Sequence, residues 1–145
     1  MKRHEALAPL SREHHSALIL AQLLKKDAPT YKGLPTALNE KVAYALQMFT
    51  ATLQLHFTNE EGMLDKVRSV HAEIDKISEE IFTEHQQLKK MFLSLDKTNN
   101  TIEELDTLGQ ALDDHIRKEE RVLFPLIQQH CSEAILSNFD FTPQN

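Results

Sequence analysis

Two stretches of the chain, HFTNEEGML (residues 56–64) and HIRKEERVL (residues 115–123), share one pattern: His, three residues, Glu-Glu, then apolar side chains. His56 and Glu60 are four positions apart, as are His115 and Glu119. On a helix that separation is roughly 40° around the axis and about 6 Å along it. An imidazole nitrogen and a carboxylate oxygen then project from one face on adjacent turns, and both are donors to a first-row metal ion. Apolar residues flank each pair on the same stripe. Leu46, Phe49, Thr52, Leu53, Met63 and Leu64 surround the first pair. Leu105, Leu108, Ala111, Leu112, Val122 and Leu123 surround the second. The spacing predicts that all four polar groups point into a core.

Two further His share this logic. Glu13-His14 is followed by Ala17, Leu20, Ala21 and Leu24, and Glu84-His85 by Leu88, Met91, Phe92 and Leu95, at the same offsets. The chain is therefore two copies of a helix pair. Each copy offers one His from its first helix and a His and a Glu from its second. The neighbouring His15 lies about 100° further round, so His14 is the expected inward residue and His15 the exposed or outer one.

A lone His on an apolar face is usually held by a backbone carbonyl, and a single Glu often reaches solvent. Six such groups together are another matter. A buried, unpaired carboxylate costs several kcal/mol, and two close together repel. No Lys or Arg occupies the stripes beside Glu60 or Glu119. A multivalent cation removes the conflict. Imidazole and carboxylate without thiolate suit Fe, Mn or Zn. Four His and two Glu divide over two ions, two His each, with the carboxylates bridging, as in other two-metal sites. Each ion keeps open positions, which points to binding or chemistry rather than a structural staple.

The remaining candidates read as ordinary. Glu13, Glu61, Glu84 and Glu120 are expected at a solvated or salt-bridged surface, the alternative being that each steadies a ligand His. Asp113 and Asp114 form a solvated acidic run. His4, His71 and His130 fall outside the repeat and are expected on the surface. Tyr44 is ordinary packing, and Cys131 a buried thiol.

The elements that must position these groups are helical. Segments of 3.6-residue periodicity run over about 11–26, 36–67, 71–95 and 101–124, with Ser11 as N-cap of the first and Thr101-Ile-Glu-Glu104 as a capping box for the fourth. Pro29, Gly33 and Pro35 break the chain after the first segment, and DKTNN (residues 96–100) after the third. Pro125 ends or kinks the fourth. A short helical tail follows, and the last residues, DFTPQN, read as frayed. The expected fold is all-α: a single domain over residues 1–145, with its core at about 8–130, forming an up-down-up-down four-helix bundle with a short C-terminal helical tail.

The chain has 145 residues, a formal net charge of −6, 41% hydrophobic residues, three Gly and eight His. That composition suits one compact domain and gives no attraction to nucleic acid or anionic membrane. The single Cys excludes an intrachain disulfide. Neither a leader nor a membrane span is visible, so a cytoplasmic protein is expected.

The residues EH at 13–14, HFTNEE at 56–61, EH at 84–85 and HIRKEERVLFP at 115–125 together resemble the hemerythrin-like family, the HHE cation-binding domains. The resemblance covers about residues 8–130. It implies a four-helix bundle with a non-haem di-iron centre: two iron ions with an oxo or hydroxo bridge, Mn or Zn being possible substitutes. Its ligand roles fall on His14, His56, Glu60, His85, His115 and Glu119, the two Glu as bridges. Dioxygen, nitric oxide or peroxide are the implied small ligands. Oxygen-carrying members place a further His one turn after the third-helix His, where this chain has Lys89, and end in H-x-x-x-x-D rather than H-x-x-x-E. These departures point away from reversible oxygen carriage. The expected function is binding or sensing of dioxygen, nitric oxide or redox state without turnover. The alternatives are a di-iron enzyme consuming peroxide or nitric oxide, or a metal-stabilised storage or interaction module.

Overall fold

The computed structural model describes residues 2–95 and 99–144, so Asp96–Thr98 of the expected break after the third segment lie outside the described residues. Among the described residues the chain is helical, with no strand. α1 spans Ala8–Leu24. α2 (Leu38–Met48) continues through a π-helical turn, Phe49–Leu53, into α3 (Gln54–Lys66). α4 spans Ala72–Leu93. α5 (Ile102–Lys118) continues through a second π-helical turn, Glu119–Leu123, into α6 (Phe124–His130), and a short α7 covers Glu133–Leu136. α1 packs on α5, α4 on α5, α3 on α4, and α1 on α2 and α3. No helix among the described residues is long and apolar enough to cross a membrane.

The interior has two apolar clusters. The first gathers Leu20, Leu24, Phe49, Phe57, Phe92 and Leu112 among others. The second gathers Leu10, Met63, Ile74, Ile81, Leu123 and Phe124 among others. Every long helix contributes to both, and each changes cluster at the same level. α1 passes from Leu10 to Ala17, α3 from Phe57 to Met63, α4 from Ile81 to Leu88, and the fourth helix from Ile116 to Leu123. His14, Glu60, His85 and Glu119 fall between those flanking residues. A polar layer is thus sealed between two greasy ones. The order of the clusters alternates from helix to helix.

The π turns correct the simple repeat. An inserted residue rotates the following helix by about 100°. Before His56 the first π turn makes Ala45 the buried residue and leaves Leu46 partly exposed. After Glu119 the second turns Val122 outward, to 40% exposure, while Phe124 takes a fully buried place. The expected inward position of Val122 is therefore wrong by one residue of register, whereas Leu46 keeps a partly buried place against the first cluster.

Pro125 does not end the fourth helix, which runs on to His130. In a π turn the carbonyl of Glu120 would take the N–H of residue 125, which Pro lacks. The Nη2 of Arg3 donates to Glu120 O at 2.9 Å in its place. The first helix starts earlier than Ser11 because Pro9 sits in its first turn, where a missing N–H costs nothing. The Thr101–Glu104 capping box is present as expected. α1 and α5 approach so closely that a Cβ on Gly109 would lie 2.7 Å from Ala21 O. Of the final segment expected to fray, Asn145 lies outside the described residues, and residues 140–144 are tied down. Asn59 donates through Nδ2 to Thr142 O at 2.9 Å and accepts from Thr142 N at 3.0 Å, and Gln144 donates to Thr52 O.

Candidate metal centre

Six donors meet in the polar layer. His14 on α1, His56 and Glu60 on α3, His85 on α4, His115 on α5 and Glu119 in the second π turn are all 2% exposed or less. They form two groups of four, His14–His56–Glu60–Glu119 and Glu60–His85–His115–Glu119. Within each group the ligand atoms lie within 4.8 Å of one another, and both groups use the same two carboxylates. His15 is exposed and takes no part.

The four Nε2 atoms converge on those carboxylates. His14 Nε2 is 3.3 Å from Glu60 Oε2 and 3.1 Å from Glu119 Oε1. His56 Nε2 is 3.2 Å from Glu60 Oε2, His85 Nε2 3.1 Å from Glu60 Oε1, and His115 Nε2 3.4 Å from Glu119 Oε1. Proximity is not satisfaction. His56 Nε2, His115 Nε2 and both oxygens of Glu119 are buried without a well-oriented hydrogen bond. Each such group costs about 1–3 kcal/mol when left unpaired. Lone pairs from nitrogen and oxygen directed at a common centre are what a cation requires, so the residues fit a metal pair.

Charge in this layer is strained in the same sense. Burial alone would lower the pKa of His56, but the charge of Glu60 and the bonds from Glu13 and Glu60 raise it to about 9. His85 is likewise lowered by burial but raised, through Glu60 and Glu61, to about 9. His14 rises well above its ordinary value, because Glu119, Glu120 and Glu60 outweigh its burial. Glu60 falls well below its usual range: burial opposes this, and His56, His14 and His85 overcome it. Burial and the neighbouring Glu60 charge drive Glu119 the other way, upward. Two carboxylates this close do not both ionise comfortably.

Of the two readings the sequence left open for Glu13, Glu61, Glu84 and Glu120, the geometry matches the second: all four are hydrogen-bonded to the ligand-like His. The Nδ1 of His14 meets Glu120 Oε2 at 2.6 Å. The Nδ1 of His56 meets Glu13 Oε1, that of His85 meets Glu61 Oε2, and that of His115 meets Glu84 Oε1, each at 2.7 Å. A carboxylate at Nδ1 keeps the proton there and leaves the Nε2 lone pair facing inward. They are not freely solvated because the residue one step from an inward donor sits at the seam between helices, where Glu120 and Glu84 also pair with Arg3 and Lys118. The recurrence of Glu beside each His or ligand Glu was the signal for the second reading.

Sequence reasoning missed two aromatic walls and two outer cations. Phe57 stacks on His85 with ring centroids 4.2 Å apart, and Phe124 stacks on His14 at 5.6 Å. Arg3 Nη2 bonds Glu120 Oε1 at 3.0 Å, and Lys118 Nζ bonds Glu84 Oε2 at 2.7 Å. Ser11, read as a cap, donates its hydroxyl to Glu120 Oε2 instead. Asp113 is not solvated: it is buried and held by Lys25 and Arg117, whereas Asp114 is exposed. Cys131 is a buried free thiol as expected. His4, His71 and His130 are half-buried rather than freely exposed, with the His71 and His130 rings stacked at 3.8 Å.

No curated protein and no solved structure matches the chain significantly. The family described as the hemerythrin HHE cation binding domain matches residues 5–127. That span holds all six central donors and the four carboxylates behind them, and it covers most of the 145 residues. The chain therefore belongs to the hemerythrin HHE cation-binding domain family.

Proposed function

We propose that this chain is a non-haem dinuclear iron protein that binds dioxygen or nitric oxide, or senses redox state, without turnover. His14 and His56 would hold one ion and His85 and His115 the other, with Glu60 and Glu119 shared between them. The observation that carries this reading is the pair of four-donor groups built on two common carboxylates. Iron held there supplies a redox-active Lewis acid with affinity for small diatomic ligands. The chain's own residues do the rest. Glu13, Glu61, Glu84 and Glu120 fix the tautomer and tilt of each ring through Nδ1. Phe57 and Phe124 wall the layer against water.

Each ion would have only four protein donors. That open coordination favours a second reading, a di-iron enzyme consuming peroxide or nitric oxide. The two are separated by whether peroxide is lost catalytically, and whether changing Glu60 or Glu119 to Ala abolishes that loss.

We also propose that residues 1–145 form one domain with the up-down-up-down bundle topology. The alternating order in which successive helices pass the two apolar clusters supports this. A cytoplasmic setting accords with the free Cys131 thiol.

The test is metal analysis of the purified protein with its visible absorption recorded anaerobically and then in air. About two irons per chain, with charge-transfer bands appearing on oxidation, is the expected result. A colourless protein holding one zinc or no metal overturns the reading.

A further inference from the structure

We propose that Arg3 and Lys118 are positioning residues, one for each half of the dinuclear centre: Arg3 fixes the His14 ring through Glu120, and Lys118 fixes the His115 ring through Glu84. This inference rests on the dinuclear reading above.

Arg3 makes four contacts, three of them to the two residues, Glu120 and Phe124, that touch His14. Its Nη2 donates to Glu120 Oε1 at 3.0 Å and to Glu120 O at 2.9 Å, so one guanidinium holds both ends of that residue. Its Nη1 donates to Gln128 Oε1 at 3.2 Å. Its guanidinium carbon lies 5.3 Å from the centre of the Phe124 ring, which itself stacks on His14. The carboxylate and the aromatic wall that contact His14 are therefore both braced by one side chain. A planar fork suits this double task, which an ammonium cannot match. Lys118 acts on the other half. Its Nζ bonds Glu84 Oε2 at 2.7 Å and Glu80 Oε1 at 3.2 Å, while Glu84 Oε1 takes the Nδ1 of His115.

The two cations are not products of the internal repeat. By the offset that relates His56 to His115, Lys118 corresponds to Asn59, which binds the C-terminal segment. By the offset that relates His14 to His85, Arg3 corresponds to Ile74. Among the described residues, Glu13 and Glu61 form no ion pair with Lys or Arg, so His56 and His85 lack such a brace. Each four-donor group thus contains one braced imidazole and one unbraced imidazole. An ordinary surface ion pair would contribute little to stability and nothing to the balance between the two ions.

That balance is the test. Metal-free wild-type protein, Arg3→Gln and Lys118→Gln are titrated with Zn²⁺ against a chromophoric chelator. The histidine Nδ1–H signals of the zinc-loaded proteins are followed by NMR. Arg3→Gln is expected to weaken one of two ions roughly 10-fold and to move the His14 signal while that of His115 stays. Lys118→Gln is expected to do the reverse. Arg3→Lys, which keeps the charge on Glu120 but not the bond to its carbonyl, should recover part of the loss. If Arg3→Gln proves unfolded by far-ultraviolet circular dichroism, Arg3→Lys is judged by the same criteria. Equal weakening of both ions, no weakening, or movement of the same His signal in both variants overturns the inference while leaving the dinuclear reading intact. A wild-type protein that takes up no ion pair, or His56→Ala and His115→Ala variants that take up as much as wild type, overturns the dinuclear reading and this inference with it.

Discussion

Nδ1 of His14 lies 2.6 Å from Oε2 of Glu120, a hydrogen bond between residues 106 positions apart. It closes a circuit. α1 supplies Glu13 to His56 on α3, α3 supplies Glu61 to His85 on α4, and α4 supplies Glu84 to His115 on α5. The π turn after α5 then returns Glu120 to α1. Each helix orients its neighbour's imidazole, so in the proposed dinuclear reading the centre would be preorganised by the packing of the whole bundle and not by any one element.

Breaking one link should loosen one ion. Glu61→Gln keeps the shape but removes the charge opposite His85 Nδ1. We expect metal affinity to fall roughly 10- to 100-fold, with the exposed Glu73→Gln as an inert control. Competition titration of both variants measures the difference, and equal affinities would refute the role of the circuit.

Adjacent histidines should behave differently. His14 is 2% exposed and His15 is exposed. His14→Ala is expected to remove about one ion per chain and His15→Ala none. Metal content by elemental analysis decides between them.

Gly109 should not tolerate a methyl group. Alanine gains about 1 kcal/mol of helix propensity over glycine. Its Cβ would nevertheless press on Ala21 O at 2.7 Å, and a backbone oxygen in a packed helix has nowhere to rotate. Overpacking of this kind costs about 1–3 kcal/mol, so we expect Gly109→Ala to melt a few degrees lower. A higher melting temperature would mean that α1 and α5 can separate cheaply.

Asp113 should set part of the acid sensitivity. Burial would raise its pKa, but Lys25 and Arg117 hold it below the ordinary value of 3.8. A carboxyl with a depressed pKa in the folded state contributes stability above its unfolded value, and loses it as pH falls through the folded one. Wild type should therefore be more stable than Asp113→Asn at pH 7, and the gap should close as the pH drops below about 3.8. Thermal melts across pH 7 to 3 test this, and a gap that persists at the acid end would assign the difference to packing instead.

The C-terminal segment should detach when its clasp is cut. Asn59 holds both the N–H and the carbonyl of Thr142. In Asn59→Ala the Thr142 amide should exchange with solvent much faster, with the helical signal unchanged. Unchanged exchange at Thr142 would show that Gln144 and the packing of Phe139 and Phe141 suffice.

Periodicity alone marked the six central residues, because a buried His or Glu must replace an apolar residue on the stripe and is therefore visible in one dimension. The capping box at Thr101 was equally legible, since its partners are three residues apart. What lay one step off the stripe was only half legible, because the recurring Glu left two readings open, a solvated or salt-bridged surface and a brace for a neighbouring His. Whether Glu13, Glu61, Glu84 and Glu120 meet water or a neighbouring helix depends on how helices are rotated against one another, and no local pattern encodes that. The π turns are a second case: they turn Val122 off the expected face and leave Leu46 only partly buried, and an inserted residue leaves no mark in residue type. Arg3 is the third. Its partner carbonyl is exposed by Pro125, and the two are brought together only when the N-terminal arm folds back onto α6. Local chemistry along the helices determined which residues face inward, and the tertiary packing decided which outer residues hold them, because those contacts join segments far apart in the chain.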